Sequence, residues 1–176
     1  MSEHDAPTAV PRPLRSQLIF SVARAVHDPR ASTGAHASLR RGTRHDVVRQ
    51  AAFHHVIAEV PDDQLGLDAL SRWAAVVQCI ALTAIGTSVG PSDGSALANA
   101  GLSETRFSRL LASRGDGFFD QLLLIARYLR AKQTPVRWND LGELALTIDV
   151  QETRADALRL RLARDFYRVV SNPLAS

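Results

Sequence analysis

The chain has 176 residues, 45% of them hydrophobic and 6% aromatic, with 21 Lys and Arg against 18 Asp and Glu and a formal net charge of +3. That length and apolar content suit one compact domain or two small halves sharing a core, and the Leu, Ala and Val bias leans towards helix. The single cysteine, Cys79, excludes an internal disulfide and a Cys-based zinc site.

Residues 1–13 contain Pro7, Pro11 and Pro13 and read as a disordered tail without a signal-peptide apolar region. A first helix is predicted over Leu14–His27, ending at Asp28-Pro29. Ser32 or Thr33 then caps a short helix through Leu39-Arg40-Arg41 that stops at Gly42. Thr43, with Asp46 three residues on, starts a helix running to about Glu59. Its apolar stripe is Val48, Ala52, Phe53, Val56 and Val60. Arg49 falls in the middle of that stripe, so either it pairs with a buried carboxylate, which is the expectation, or this face meets something other than core.

Pro61-Asp62-Asp63 makes a turn, and a helix to about Ile85 follows. Its half Trp73–Ile85 is apolar on nearly every face, so it should be central. It is too short to span a bilayer and carries Gln78 and Thr83. Cys79 lies within it as core filling. Gly86–Gly94 is a flexible loop and the best internal boundary. The expected arrangement is a tail over residues 1–13 and a helical domain over 14–172, with halves meeting near 86–94.

Ser95–Ala100 reads as a short helix and Gly101-Leu102 as a turn. Ser103 caps a helix that points Phe107, Leu110 and Leu111 inward, with Arg106 and Arg109 on one outer edge. Gly115-Asp116-Gly117 breaks the chain before a helix to about Lys132. That helix buries Phe118, Leu122, Ile125 and Leu129, with Arg127 opposite and Arg130 on the flank. Thr134-Pro135 ends it, and Asn139 caps a short helix over Leu141–Leu146. A last helix, about Glu152–Val170, buries Ala155, Leu158, Leu162, Phe166 and Val169. Its other side carries Arg154, Arg161, Arg164 and Arg168, suited to a partner protein or to neighbouring carboxylates. With no strand pattern, the predicted fold is an all-α bundle of about eight or nine helices.

The charge is uneven. Arg12 to Arg49 holds eight Arg against Asp28 and Asp46, and Arg106 to Arg137 holds seven basic residues against Asp116 and Asp120. Of the 21 basic side chains, Lys132 alone is Lys. Arginine grips phosphate bidentately, so two basic regions suit a polyanion. Catalytic chemistry has no comparable signal: there is no phosphate-cradling glycine loop, no GxSxG elbow and no obvious acid–base pair. His54 and His55 are adjacent and point about 100° apart on a helix, and no His-x-x-x-His or Glu-x-x-His pair exists, so neither metal nor cofactor is expected. Ser95–Leu111 has the chain order of a helix-turn-helix, which makes a DNA-binding regulator the alternative.

The run GLSETRFSRLLASRGDGFFDQLLLIARYL, then PVRWNDLGELAL and LRLRLARDFYRV, together with SLRRG at Ser38–Gly42, resembles the CasB family, the small subunit of the type I-E CRISPR Cascade complex. The resemblance implies an all-helical, non-catalytic protein that lies as two head-to-tail copies along an RNA-guided complex; the cytoplasmic expectation comes from the lone cysteine and the lack of a signal-peptide region. It implies contact with the backbone and large subunits, guide RNA and target DNA, and basic side chains that steady the displaced strand of the R-loop. On this basis Arg40, Arg41, Arg106, Arg109, Arg114, Arg127 and Arg130 are expected to form the nucleic-acid surface. Guide pairing supplies specificity in such systems, so charge without base-reading geometry suffices.

Overall fold

The computed structural model describes residues 14–84, 86 and 90–172. The expected tail over residues 1–13 and part of the loop before Gly90 lie outside them. The described residues form ten α-helices and one 3-10 turn. Helix α1 is Arg15–Val26, α2 Thr33–Leu39, α3 Arg44–Val48, α4 Ala51–Val56 and α5 Leu67–Leu82, with the 3-10 turn Asp62–Gln64 before α5. The second half has α6 Asp93–Asn99, α7 Glu104–Ala112, α8 Gly115–Ala131, α9 Asn139–Thr147 and α10 Glu152–Val170. No helix among the described residues is long and apolar enough to cross a membrane.

Every residue of α5 from Trp73 to Leu82 is buried. Helices α1, α2, α3, α8 and α9 all pack on α5, so elements from both ends of the sequence share its surface. Cys79 sits there 1% exposed, and burial raises its thiol pKa. Helix α10 lies against α6 and α9, while α7 lies against α8. Phe107 of α7 and Phe166 of α10 stack with centroids 3.9 Å apart and an 8° interplanar angle, closing the core between these helices.

Local chemistry sets most boundaries as expected. The Ser32, Thr43 and Ser103 hydroxyls accept from the backbone N–H of Ala35, Asp46 and Arg106, three residues on in each case. The Asp46 carboxylate returns the bond by accepting from Thr43 N at 2.8 Å.

Four expectations are corrected. The helix from Thr43 to Glu59 is two helices, because the chain leaves helical geometry at Gln50 (φ −90°, ψ 137°). That break puts Arg49 at the C-cap of α3, exposed, so it enters no core stripe and needs no buried carboxylate. Gly115-Asp116-Gly117 is the first turn of α8 rather than a break, and the extended residues are Ser113 and Arg114. Gly115 N–H donates to Asp149 Oδ2 at 2.8 Å, which caps that turn from the connection between α9 and α10.

Asn139 is likewise the first residue of α9 and not its cap. The cap comes from α6: Asp93, 1% exposed, accepts from Trp138 N at 3.1 Å with one oxygen. Its other oxygen accepts from Asp140 N at 2.8 Å and Leu141 N at 3.0 Å. Burial pushes the Asp93 carboxyl up to about 6, against these donors. The loop before α6 is therefore anchored at its described ends. Asp93 holds one end, and at the other Gly86 N–H donates to Val136 O at 2.9 Å.

Candidate nucleic-acid interface

Helix α7 is short and strongly two-sided. Phe107 and Leu110 are fully buried, and Arg106 and Arg109 stand exposed on the opposite edge, as their spacing requires. Its neighbour α8 buries Phe118, Leu122, Ile125 and Leu129 and exposes Arg127 and Arg130. Tyr128 joins the two helices. Its hydroxyl donates to Ala100 O at 2.9 Å and Gly101 O at 3.0 Å, in the turn that leads into α7. Gly101 makes that turn with φ +76°, a conformation that favours glycine. The Arg106 guanidinium lies 5.7 Å from the Tyr128 ring centroid and the Lys132 ammonium 5.8 Å. Tyr128 and Lys132 are therefore part of this patch, although sequence reasoning left them out. Their i,i+4 spacing on a basic helix end was the signal available.

Arg40, at the C-cap of α2, lies near enough for the charge of Arg130 on α8 to act on it. Its Nε donates to Ala81 O at 2.6 Å and its Nη2 lies 2.9 Å from His36 Nδ1. Burial lowers its guanidinium pKa, and the Arg130 charge adds to that shift. Arg41 follows it, exposed. Arg127 to Lys132 on α8 thus connects two cationic groups, Arg40–Arg130 and Arg106–Tyr128–Lys132, with Arg109 beside the second. Among the described residues no carboxylate forms an ion pair with Arg40, Arg41, Arg106, Arg109, Arg127 or Arg130.

Arg114 stands apart. At 1.5 Å rise per residue it lies roughly 24 Å along α8 from Arg130. Its Nη1 donates to Leu111 O, Ala112 O and Ser113 O at 3.1, 3.3 and 3.0 Å, and its Nε is 3.9 Å from Glu152. It closes the end of α7 and does not join the cluster.

Other arginines of the two basic regions are also engaged internally. Arg44 pairs with Asp116 and lies 4.5 Å from the Phe119 ring centroid, with Arg72 at 5.7 Å from the same ring. Arg30 grips Asp28 through Nε at 3.0 Å and Nη2 at 2.8 Å. On α10, Arg154 reaches Glu143 at 2.6 Å, Arg161 reaches Asp140 at 2.6 Å, and Arg164 and Arg168 share Asp165 at 3.7 and 3.8 Å. The α10 arginine face therefore meets neighbouring carboxylates.

The arrangement offers cations to a polyanion. Among the described residues no group of three or more His, Cys, Asp or Glu is placed to hold a metal ion. Helices α6 and α7 keep the chain order of a helix-turn-helix, but α6 packs on α10 and α9 while α7 packs on α8. In a helix-turn-helix the two helices would pack on each other.

The family model described as CRISPR-associated protein Cse2 matches residues 35–167. The crystal structure of M. ruber CasB superposes with a TM-score of 0.68 at 18% identity, covering 92% of this chain and 97% of that one. At that identity the likeness speaks for the all-α fold. No curated protein sequence matches. With the family model spanning well over half its length, the chain belongs to the Cse2 (CasB) family of CRISPR-associated proteins.

Proposed function

We propose that the chain is the non-catalytic small subunit of an RNA-guided Cascade complex, working in the cytoplasm, and that it steadies the R-loop by holding the displaced DNA strand. Its partners in this reading are the backbone and large subunits, the guide RNA, the target DNA and a second copy of itself. The observation that carries the reading is the unpaired cationic surface of α7 and the end of α8, in a chain whose α10 arginines are paired with carboxylates. Phosphate contacts of this kind position a strand without reading its sequence, which guide pairing already does. Tyr128, half-buried, is the one aromatic side chain in this patch, so base stacking contributes little beside charge.

The test is charge reversal at Arg106→Glu with Arg109→Glu. Both side chains are exposed and unpaired, so folding should be spared. Affinity for labelled single-stranded and duplex DNA should fall. The slope of log K against log salt for the single strand should shrink by about 1.4, near 0.7 for each phosphate no longer neutralised. An unchanged slope and affinity would refute the assignment. Strong preference for one duplex sequence would instead indicate a regulator.

A further inference from the structure

Arg40 differs from the other surface arginines in what holds it. Its Nε–H donates to Ala81 O at 2.6 Å, at the C-terminal end of α5 where a cation also meets the negative end of the helix dipole. Its Nη2 lies 2.9 Å from His36 Nδ1, one turn back on α2. A guanidinium has no lone pair to offer, so Nδ1 must accept. His36 is therefore neutral with its proton on Nε2, and that Nε2 is buried without a partner.

The surroundings of this imidazole are wholly basic. His27, at the end of α1, meets it edge-on with ring centroids 5.2 Å apart, and donates from Nε2 to Ile80 O at 3.0 Å. Arg40 is on α2 itself, and Arg130 of α8 lies beyond Arg40. The end of α5 contributes backbone acceptors, the carbonyls of Ile80 and Ala81 and the backbone of its C-cap Thr83. From α4, the His55 charge acts on Asp28, whose carboxylate Arg30 already grips. Among the described residues no carboxylate pairs with His27, His36, Arg40 or Arg130.

We propose that His36 is a proton gate on Arg40. Neutral, it holds the guanidinium over the end of α5; protonated, it releases Arg40 to bind a nucleic-acid phosphate together with Arg130. The proton enters at Nδ1 and turns the acceptor into a donor. The bond to Arg40 Nη2 is then lost and two cations face each other. A phosphodiester beside Arg40 and Arg130 supplies the negative charge that the cluster lacks, so proton uptake and strand binding strengthen one another. Burial, with help from Arg40 and His27, lowers the His36 pKa below its usual value. The gate is therefore closed at neutral pH and opens only on the acid side of the usual imidazole value. This rests on the nucleic-acid reading above and regulates the same surface.

The experiment uses the full chain and His36→Asn, whose amide oxygen replaces Nδ1 as acceptor and cannot take up a proton. The Arg40 Nε–H signal is followed by ¹⁵N NMR from pH 8 to about 5.5. In parallel, anisotropy of a labelled oligothymidylate is read at constant ionic strength, since thymine takes up no proton in this range. The Arg40 signal should lose its hydrogen-bonded shift in the wild type and keep it in His36→Asn. Wild-type affinity should rise more steeply than that of the variant, by up to about tenfold for each pH unit, the limit for one coupled proton. An equal rise in both proteins overturns the proposal and leaves the nucleic-acid reading intact. Absence of binding at every pH overturns that reading and the phosphate step with it. A wild-type Arg40 signal that persists to the lowest pH overturns the gate itself.

Discussion

Asp93→Ala removes the one side chain that caps α9 from outside. The variant leaves the N–H groups of Trp138, Asp140 and Leu141 without their acceptor, two of those residues being fully buried and the third half-buried. At about 1–3 kcal/mol for each orphaned donor, the loss is at least about 3 kcal/mol. A relief opposes it. Burial raises the carboxyl from 3.8 to about 6, so the ionised form is disfavoured in the fold by roughly 3 kcal/mol at high pH. The sign follows from linkage. A raised folded pKa contributes stability that is present below the unfolded value and is lost as pH rises through about 6. Roughly half of that loss has occurred by pH 5 and essentially all by pH 8. The penalty of Asp93→Ala should therefore be about 1.5 kcal/mol larger at pH 5 than at pH 8, where the donors less the relief leave about 0–6 kcal/mol. Urea unfolding followed by circular dichroism at the two pH values measures both numbers. A penalty below about 0.5 kcal/mol at both would mean that Asp93 does not hold α9. A penalty that grows with pH would mean that the three N–H donors outweigh burial, and the carboxyl would then titrate below its usual value.

Gly94→Ala should lower stability by about 2–3 kcal/mol, because a Cβ there would lie 2.4 Å from Leu162 O, a backbone atom of α10 that cannot step aside. Gly117→Ala, which meets nothing within 4 Å in the first turn of α8, serves as the control in the same urea titration and should be neutral or slightly stabilising. Arg154→Ala strips the partner from Glu143, whose side chain is 8% exposed while Arg154 is 55% exposed. A half-solvated partner discounts the cost of a lone buried carboxylate, so the expected loss is about 1–2 kcal/mol. DNA affinity should fall less in that variant than in the Arg106 and Arg109 reversal.

Where a pattern is local, the sequence predicts the structure closely. The bounds of α10 follow from an unbroken apolar repeat through Ala155, Leu158, Leu162 and Phe166, all buried. The Arg106–Arg109 edge follows from the inward direction of Phe107 and Leu110. The α3–α4 break escaped because Arg49-Gln50 contains neither glycine nor proline, and the apolar spacing runs across it. Gly115-Asp116-Gly117 looked like a break because its cap, Asp149, stands 34 residues away in sequence. Distance in sequence hid where the arginines settle as well. Nothing local says that Arg40 meets Arg130, or that Arg44 and Arg72 converge on Phe119. These are tertiary facts, set by how α2, α3 and α8 settle on α5.

The two arginine-rich surfaces differ in a way that counting charges conceals. On α10, Arg154 and Arg161 tie the helix to Glu143 and Asp140 of α9, so their cations work within the fold. On α7 and the end of α8 no carboxylate among the described residues pairs with the cations, and Arg40 and Arg130 lie close enough to oppose each other's charge. Fixed like charges without partners raise the free energy of the compact state. Their placement on amphipathic helices whose apolar sides are fully buried shows what offsets the repulsion: Phe107 and Leu110 on α7, and Leu122 and Leu129 on α8, hold the cations in register. In the proposed role, a phosphate strand laid along this edge would relieve the repulsion, and its affinity would grow with each cation it neutralised. Truncation on α10 should therefore register first as lost stability, and reversal on α7 first as lost binding.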